Sequence, residues 1–370
     1  YMYRLDFFCL DRRYMSDIEI NDVRSEKDFR SITFSGYQKT RVKKELIVSM
    51  SSGKIENTCY WGAEMICAGH FAELWEIIVL YVSKHIHLGS PRLPTYISMR
   101  MDNFKEILVN GYVGNEMRLR NNPKIRDLFA EILATLCMSR KKHVFEAVKI
   151  KKSDEFNMAH MSTKLKAPKT SYADGVFTDE DPKELFIAVN ELAYHLSSES
   201  QNSFSACYWL EWIIEFEQIC KKSKDVIVAK RRSWAPVNPK YHIDPIWIVW
   251  ELITDRCSRK GCAITTRIIE SLLGMFSLRY GPSVKKRRRF LVYFAISLLT
   301  EPVDLSINIW SDKAHVSSVV KKIACVYKQV KKNEQSPATD YLFAGTEKTN
   351  LDKTIARLEM MNAAMKAGST

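Results

Sequence analysis

Along most of this chain apolar residues return every three or four positions, the period of an amphipathic helix rather than of a strand. From Gly36 to Met50, the residues Val42, Leu46, Ile47 and Met50 share one side. A second helix is predicted from Ile55 to about Ala68, where Gly69 offers a C-terminal stop. A third runs from His70 to about Ile86. Its charged residues Glu73, Glu76 and Lys84 fall in one narrow stripe, because a spacing of about eleven residues closes three turns. The rest of its surface is Phe71, Leu74, Trp75, Ile77, Ile78, Leu80, Tyr81 and Val82. A helix apolar on nearly all sides belongs in the middle of a bundle.

After the turn Ser90–Pro94, helices are expected at Tyr96–Asn110 and Pro123–Met138. Lys149–Gly175 is polar and reads as a linker or long loop. Thr178–Glu184, TDEDPKE, is a helix start, with acidic residues in the first turn and Pro182 near its first position. That helix carries Leu185, Val189, Leu192 and Leu196. The next, SACYWLEWIIEFEQICKK (Ser205–Lys222), has an apolar face of Trp209, Trp212, Ile213, Phe216, Ile219 and Cys220. Its polar face is Glu211, Glu215 and Lys222. Helices follow at Pro245–Arg256, Ala263–Arg279, Val284–Leu299 and Val316–Lys332, then a loop over Asn333–Thr349. A last helix, Leu351–Met365, has Leu351, Ile355, Leu358 and Met365 on one seam, a candidate docking surface for a partner. Only the opening, Tyr1–Ser35, alternates enough for short strands, at YRLDFF and RSITFS.

Cys-Tyr-Trp occurs twice, at Cys59 and at Cys207, each time within a long apolar helix preceded by an amphipathic one. Duplication explains this; chance recurrence on two buried helices is the alternative. The expected fold is all-α, with two related helical halves and short strands at the N-terminus. The segments are an N-terminal extension (1–35), helical domain one (36–150), a linker (151–177), helical domain two (178–332) and a C-terminal extension (333–370).

Composition agrees with long helices, since Gly and Pro number only 13 and 11 in 370 residues. The formal charge of +13, from 56 basic and 43 acidic residues, points to an acidic partner: nucleic acid, anionic lipid or acidic protein. The nine cysteines are odd in number and form no CxxC pair. Most sit inside apolar helical runs and read as small buried hydrophobes in a reducing setting. The longest apolar runs, such as Phe290–Leu299, fall short of the ~20 residues of a membrane span.

No phosphate-binding, dinucleotide-binding, nucleophile-elbow, zinc-protease or EF-hand motif is written in the chain, which lowers the expectation of an enzyme. Cys67, His70, His85 and His87 form the best metal candidate, but their spacing does not require a tetrahedral site. Glu64, Glu73 and Glu76 could perform acid/base work if paired. On the polar stripe Glu73 and Glu76 are more simply solvated or ion-paired. Neither catalysis, metal nor cofactor is therefore expected. The densest charge is basic: Lys285, Lys286, Arg287, Arg288 and Arg289, supplemented by Lys230, Arg231 and Arg232. These are candidate contacts for an acidic surface or a phosphate backbone, or simply the solvated first turn of a helix.

Phe34–Ile97 carries FSGY, GKIE-x-x-CYW-x-AE, C-x-GH-x-x-x-LWE and KHIHLG-x-P-x-LP. These elements, about a quarter of the chain, resemble a family of proteins from nucleocytoplasmic large DNA viruses, including chlorella-infecting and mimivirus-like members. The resemblance implies a minor capsid protein that cements major-capsid trimers beneath the outer shell. Its partners would be the major capsid protein and other minor capsid proteins, with the inner membrane surface as a further contact. It would be made in the host cytoplasm and reside in the inner layer of the virion. The alternative is a basic nucleic-acid-associated factor in genome packaging or late transcription. Residues 1–35 and 333–370 are expected to reach neighbouring chains.

Overall fold

A computed structural model describes residues 18–150, 156 and 158–335. The YRLDFF strand and the Leu351–Met365 docking seam, with Leu351, Ile355, Leu358 and Met365, lie outside the described residues.

The fold is all-α. The first helices are α1 (Lys39–Ser51), α2 (Ile55–Cys67) and α3 (Phe71–Leu80), which continues as a π-helical turn over Tyr81–Ile86. They are followed by α4 (Leu93–Val109), α5 (Pro123–Met138) and the short α6 (Met158–Lys164). Then come α7 (Phe186–Leu196), α8 (Ser203–Lys222), α9 (Ile246–Lys260) and α10 (Ala263–Ser277). The last helices among the described residues are α11 (Val284–Arg287), α12 (Arg289–Thr300) and α13 (Lys313–Lys331). Local chemistry sets several ends. Gly69 (φ +77) reverses the chain after α2, and Gly261 (φ +67) ends α9. Asn122, Asn202 and Asp312 cap α5, α8 and α13 through their side chains.

Helix pairing repeats between the two parts of the chain. α1 packs on α2 as α7 packs on α8, α2 on α5 as α8 on α12, and α4 on α5 as α10 on α12. The Cys-Tyr-Trp helices α2 and α8 hold equivalent places. α4 and α10, which also correspond, pack against each other across the junction.

The two halves are not separate bodies. One apolar core runs through both. α13, at the end of the second half, lies on α2 and α5 of the first, and α12 lies on the π-helical turn. Lys149–Gly175 is also tied down where it is described. Glu191 accepts the backbone N–H groups of Lys166 and Ala167, and Asn190 accepts that of Tyr172.

The N-terminal segment departs from expectation. Among the described residues there is no strand, only an isolated bridge between Ile32 and Gln38. From residue 18 this segment belongs to the core: Ile18, Ile20, Phe29 and Phe34 are buried. Buried Arg126 donates to the Ile18 carbonyl, and Asn121 bonds both the N–H and the C=O of Ile20. In place of a ladder, Phe34 of RSITFS stacks on Phe29 beneath the Arg24 guanidinium.

Candidate functional site

The basic run at 285–289 is mostly turned inward. Lys285, only 3% exposed, bonds Glu217 of α8 and Asp244 before α9, the latter at 2.8 Å. Lys286 reaches Glu215 and Gln218 of α8. The chain then breaks between α11 and α12 at Arg288 (φ −103°, ψ 16°). Its buried guanidinium caps the end of α10 through the carbonyls of Met275, Phe276 and Leu278, and pairs with Glu76 of α3. Arg289 bonds Glu211 at 2.8 Å. Arg287 alone of the five is exposed, without a partner among the described residues. A run that looks like a solvated turn is therefore a set of internal ties, because its carboxylate partners come from remote parts of the chain.

The second basic group divides similarly. Arg232, 3% exposed, pairs with Asp181 and with Glu251, each at 2.7 Å. Burial alone would raise the Asp181 carboxyl, but hydrogen bonds from Arg232 outweigh it and hold it below the usual range. Lys230 meets exposed Glu180 at 3.4 Å, and exposed Arg231 donates to the Pro239 carbonyl.

Glu211 was expected on a solvated face of α8, but it is buried. It accepts from the Tyr293 hydroxyl at 2.9 Å and from Arg289, while Tyr293 accepts the Val148 N–H. Burial raises both the Glu211 carboxyl and the Tyr293 phenol above their ordinary values. Glu211 and Tyr293 are each hydrogen-bonded, so the cluster reads as structural. Glu64 is likewise buried, accepting from Thr33, Ser35 and the Ser35 backbone. Glu73 pairs with Lys39 at 2.7 Å.

The four metal candidates do not converge. The Cys67 side chain is buried in the core, and His70 meets the Ile32 carbonyl. His87 lies against Phe294, and His85 faces His143 with 3.2 Å between their Nδ1 atoms. Among the described residues no cluster of three or more His, Cys, Asp or Glu is arranged to hold a metal.

Trp209 is an internal prop, 1% exposed. Trp61, expected to match it, is only half-buried. It sits edge-on to Tyr37 and Tyr60 and lines a groove of about 530 Å³ between α2 and α13. The opposite wall carries His315, Val319, Lys322, Val326 and Gln329 of α13. α13 is held from below by buried Val316, Ile323, Tyr327 and Val330, with the Arg126 guanidinium 4.1 Å from the Tyr327 ring centroid. From Lys313 to Lys332 the sequence has no acidic residue. Lys321, Lys322 and Lys332 are exposed without an ion-pair partner among the described residues. A basic outer face of α13 thus lies beside an aromatic groove. Sequence reasoning missed these lysines in favour of the denser run at 285–289, although the acid-free stretch Lys313–Lys332 is a signal that could have found them; the groove depends on α13 returning to the first half, which no local pattern reveals. No protein-family model, no curated protein and no solved structure matches this chain.

Proposed function

We propose that this chain is a non-catalytic assembly component that docks an acidic protein surface against α13 and the α2–α13 groove. In the setting its resemblance implies, that surface belongs to a viral shell, and the chain is a minor capsid protein tying major-capsid units together. The charge of α13 and its end carries this reading: exposed Lys321, Lys322 and Lys332 with no carboxylate in the sequence from Lys313 to Lys332. Beside it, Tyr60 and Trp61 supply the aromatic side chains that most often anchor protein interfaces. The charges would steer encounter, and the groove would give the contact its hold.

The test is incorporation into particles. Lys321→Glu/Lys322→Glu/Lys332→Glu should lower the ratio of this chain to major shell protein by about tenfold, a loss of about 1.4 kcal/mol in docking. The melting temperature of the isolated chain should stay unchanged. Incorporation at the wild-type ratio would overturn the proposal.

The same lysines support a second reading, contact with nucleic acid. It requires duplex binding that weakens steeply with salt. The aromatic groove favours the protein partner, because Tyr60 and Trp61 lie at 74° to one another rather than as parallel faces for successive bases.

A further inference from the structure

A second opening lies on another side of the first half. A cleft of about 670 Å³ is walled by α1, α3, α4 and the turn between α10 and α11. This volume is in the range of small-molecule sites, and it lies where the two halves of the chain meet, a common place for one. Its apolar wall includes Phe71, Trp75, Met101, Phe104, Leu108 and Leu278. Phe71 and Trp75 each pack on Phe104, with ring centroids 5.7 Å apart. Trp75 is buried, and its indole N–H has no acceptor among the described residues. A buried donor left without an acceptor costs about 1–3 kcal/mol.

The charged lining is unbalanced. Lys39 is neutralised by Glu73, and Arg288 by Glu76. Lys105 pairs with Asp102. Lys43, Arg279 and Arg287 remain exposed and unpaired among the described residues, against Glu116 as the uncommitted carboxylate. Arg279 also holds a left-handed backbone (φ +46°), an uncommon conformation for a residue with a side chain. An aromatic and aliphatic wall beneath surplus cations is complementary to a molecule with a hydrocarbon body and an anionic head.

We propose that this cleft binds one single-chain anionic amphiphile as a monomer. Its chain lies along Phe71, Trp75 and Phe104, and its acidic head is held by Lys43, Arg279 and Arg287. A cleft encloses a single chain, whereas a bilayer surface would need apolar side chains that protrude.

The test uses the described chain in full and dodecanoate as probe, below its micellar concentration, with calorimetric titration. Dodecanoate should bind one-to-one, and dodecyl maltoside, the neutral counterpart, about tenfold or more weaker, a difference of about 1.4 kcal/mol. Ala72 is exposed at the edge of the cleft, so Ala72→Trp should abolish binding without lowering the melting temperature. Lys43→Glu/Arg287→Glu, at two exposed positions, should weaken dodecanoate at least tenfold and leave the maltoside unchanged; it carries the test if Ala72→Trp folds poorly. Equal binding of both probes, wild-type affinity in the charge-reversed variant, absence of any dodecanoate binding, or binding only to vesicles containing phosphatidylserine would each overturn the proposal.

Discussion

Replacing Arg288 with Met gives the sharpest view of the basic run, because its neighbour Arg287 is a built-in control. Arg288 is buried, donates to three backbone carbonyls at the end of α10 and pairs with Glu76. Removing one partner of a buried ion pair costs about 3–5 kcal/mol. Glu76 keeps 31% of its side chain exposed, so water relieves part of that penalty and places the expectation near the lower figure. The carbonyls of Met275, Phe276 and Leu278 lose a charged donor, worth about 1.5–3 kcal/mol per bond, although helix-end carbonyls regain some of this from solvent. A net loss of about 3–4 kcal/mol is therefore expected. Arg287→Met, at an exposed position, should stay within about 0.5 kcal/mol of the original. Urea unfolding followed by circular dichroism measures both, and Glu76→Gln in each background isolates the pair. A loss below about 1 kcal/mol for Arg288→Met, or equal losses at the two positions, would refute the inward reading of this run.

Other substitutions separate core from surface in the same way. Trp209→Ala should cost about 3–5 kcal/mol, whereas Trp61→Ala, half-buried at the groove, should cost less than half as much and instead impair partner docking; equal unfolding losses would contradict this. A Cβ on Gly89 would stand 2.5 Å from the Arg140 carbonyl oxygen and 2.8 Å from the Lys142 nitrogen. Gly89→Ala should therefore destabilise by about 1–3 kcal/mol and speed hydrogen exchange at Lys142 and Val144, whose N–H groups bond Ile86 and Lys84. Wild-type exchange there would show that the two segments do not touch. Burial, chiefly, lowers the His87 imidazole from 6.5 to about 4. The unfolded chain then takes up the proton first on acidification, so stability is lost as pH falls from about 6.5 towards 4, by about 2 kcal/mol at pH 5. Glu211 and Glu217, raised mainly by burial, act in the opposite sense. His87→Asn, which removes the titrating imidazole, should make stability less dependent on pH in that window, and an unchanged slope would refute the assignment.

How much was legible follows from where each partner lies in the chain. The nearly all-round apolar surface of Phe71–Val82 pointed to burial, and most of α3 is buried, although Ala72 and Glu73 are exposed at the cleft; the doubled Cys-Tyr-Trp pointed to matched helices. Long-range pairing is what the pattern could not carry. Lys285 looks solvated until Glu217 and Asp244 arrive from other helices. Glu211 sits at a polar position of its own helix, yet α12 covers it with Tyr293 and Arg289. The polar stretch before α7 reads as a loose linker because Glu191 and Asn190, which gather its backbone N–H groups, lie about 20 residues further on. Trp61 and Trp209 share a tripeptide but not a burial, since α13 returns beside α2 and leaves a groove open there. The two candidate surfaces arise from this return and from the meeting of the halves, which are properties of topology rather than of any local run.

Charge in this chain has two fates, tied mostly inward at 285–289 and presented outward on α13. Lysine acylation of the native protein, quantified residue by residue by mass spectrometry, tests both at once. Lys321, Lys322 and Lys332 should react at rates typical of free surface amines, while Lys285, held between Glu217 and Asp244, should react at least about a hundredfold more slowly and only through opening events that cost about 2.7 kcal/mol or more. Comparable labelling of Lys285 and Lys321 would contradict that division.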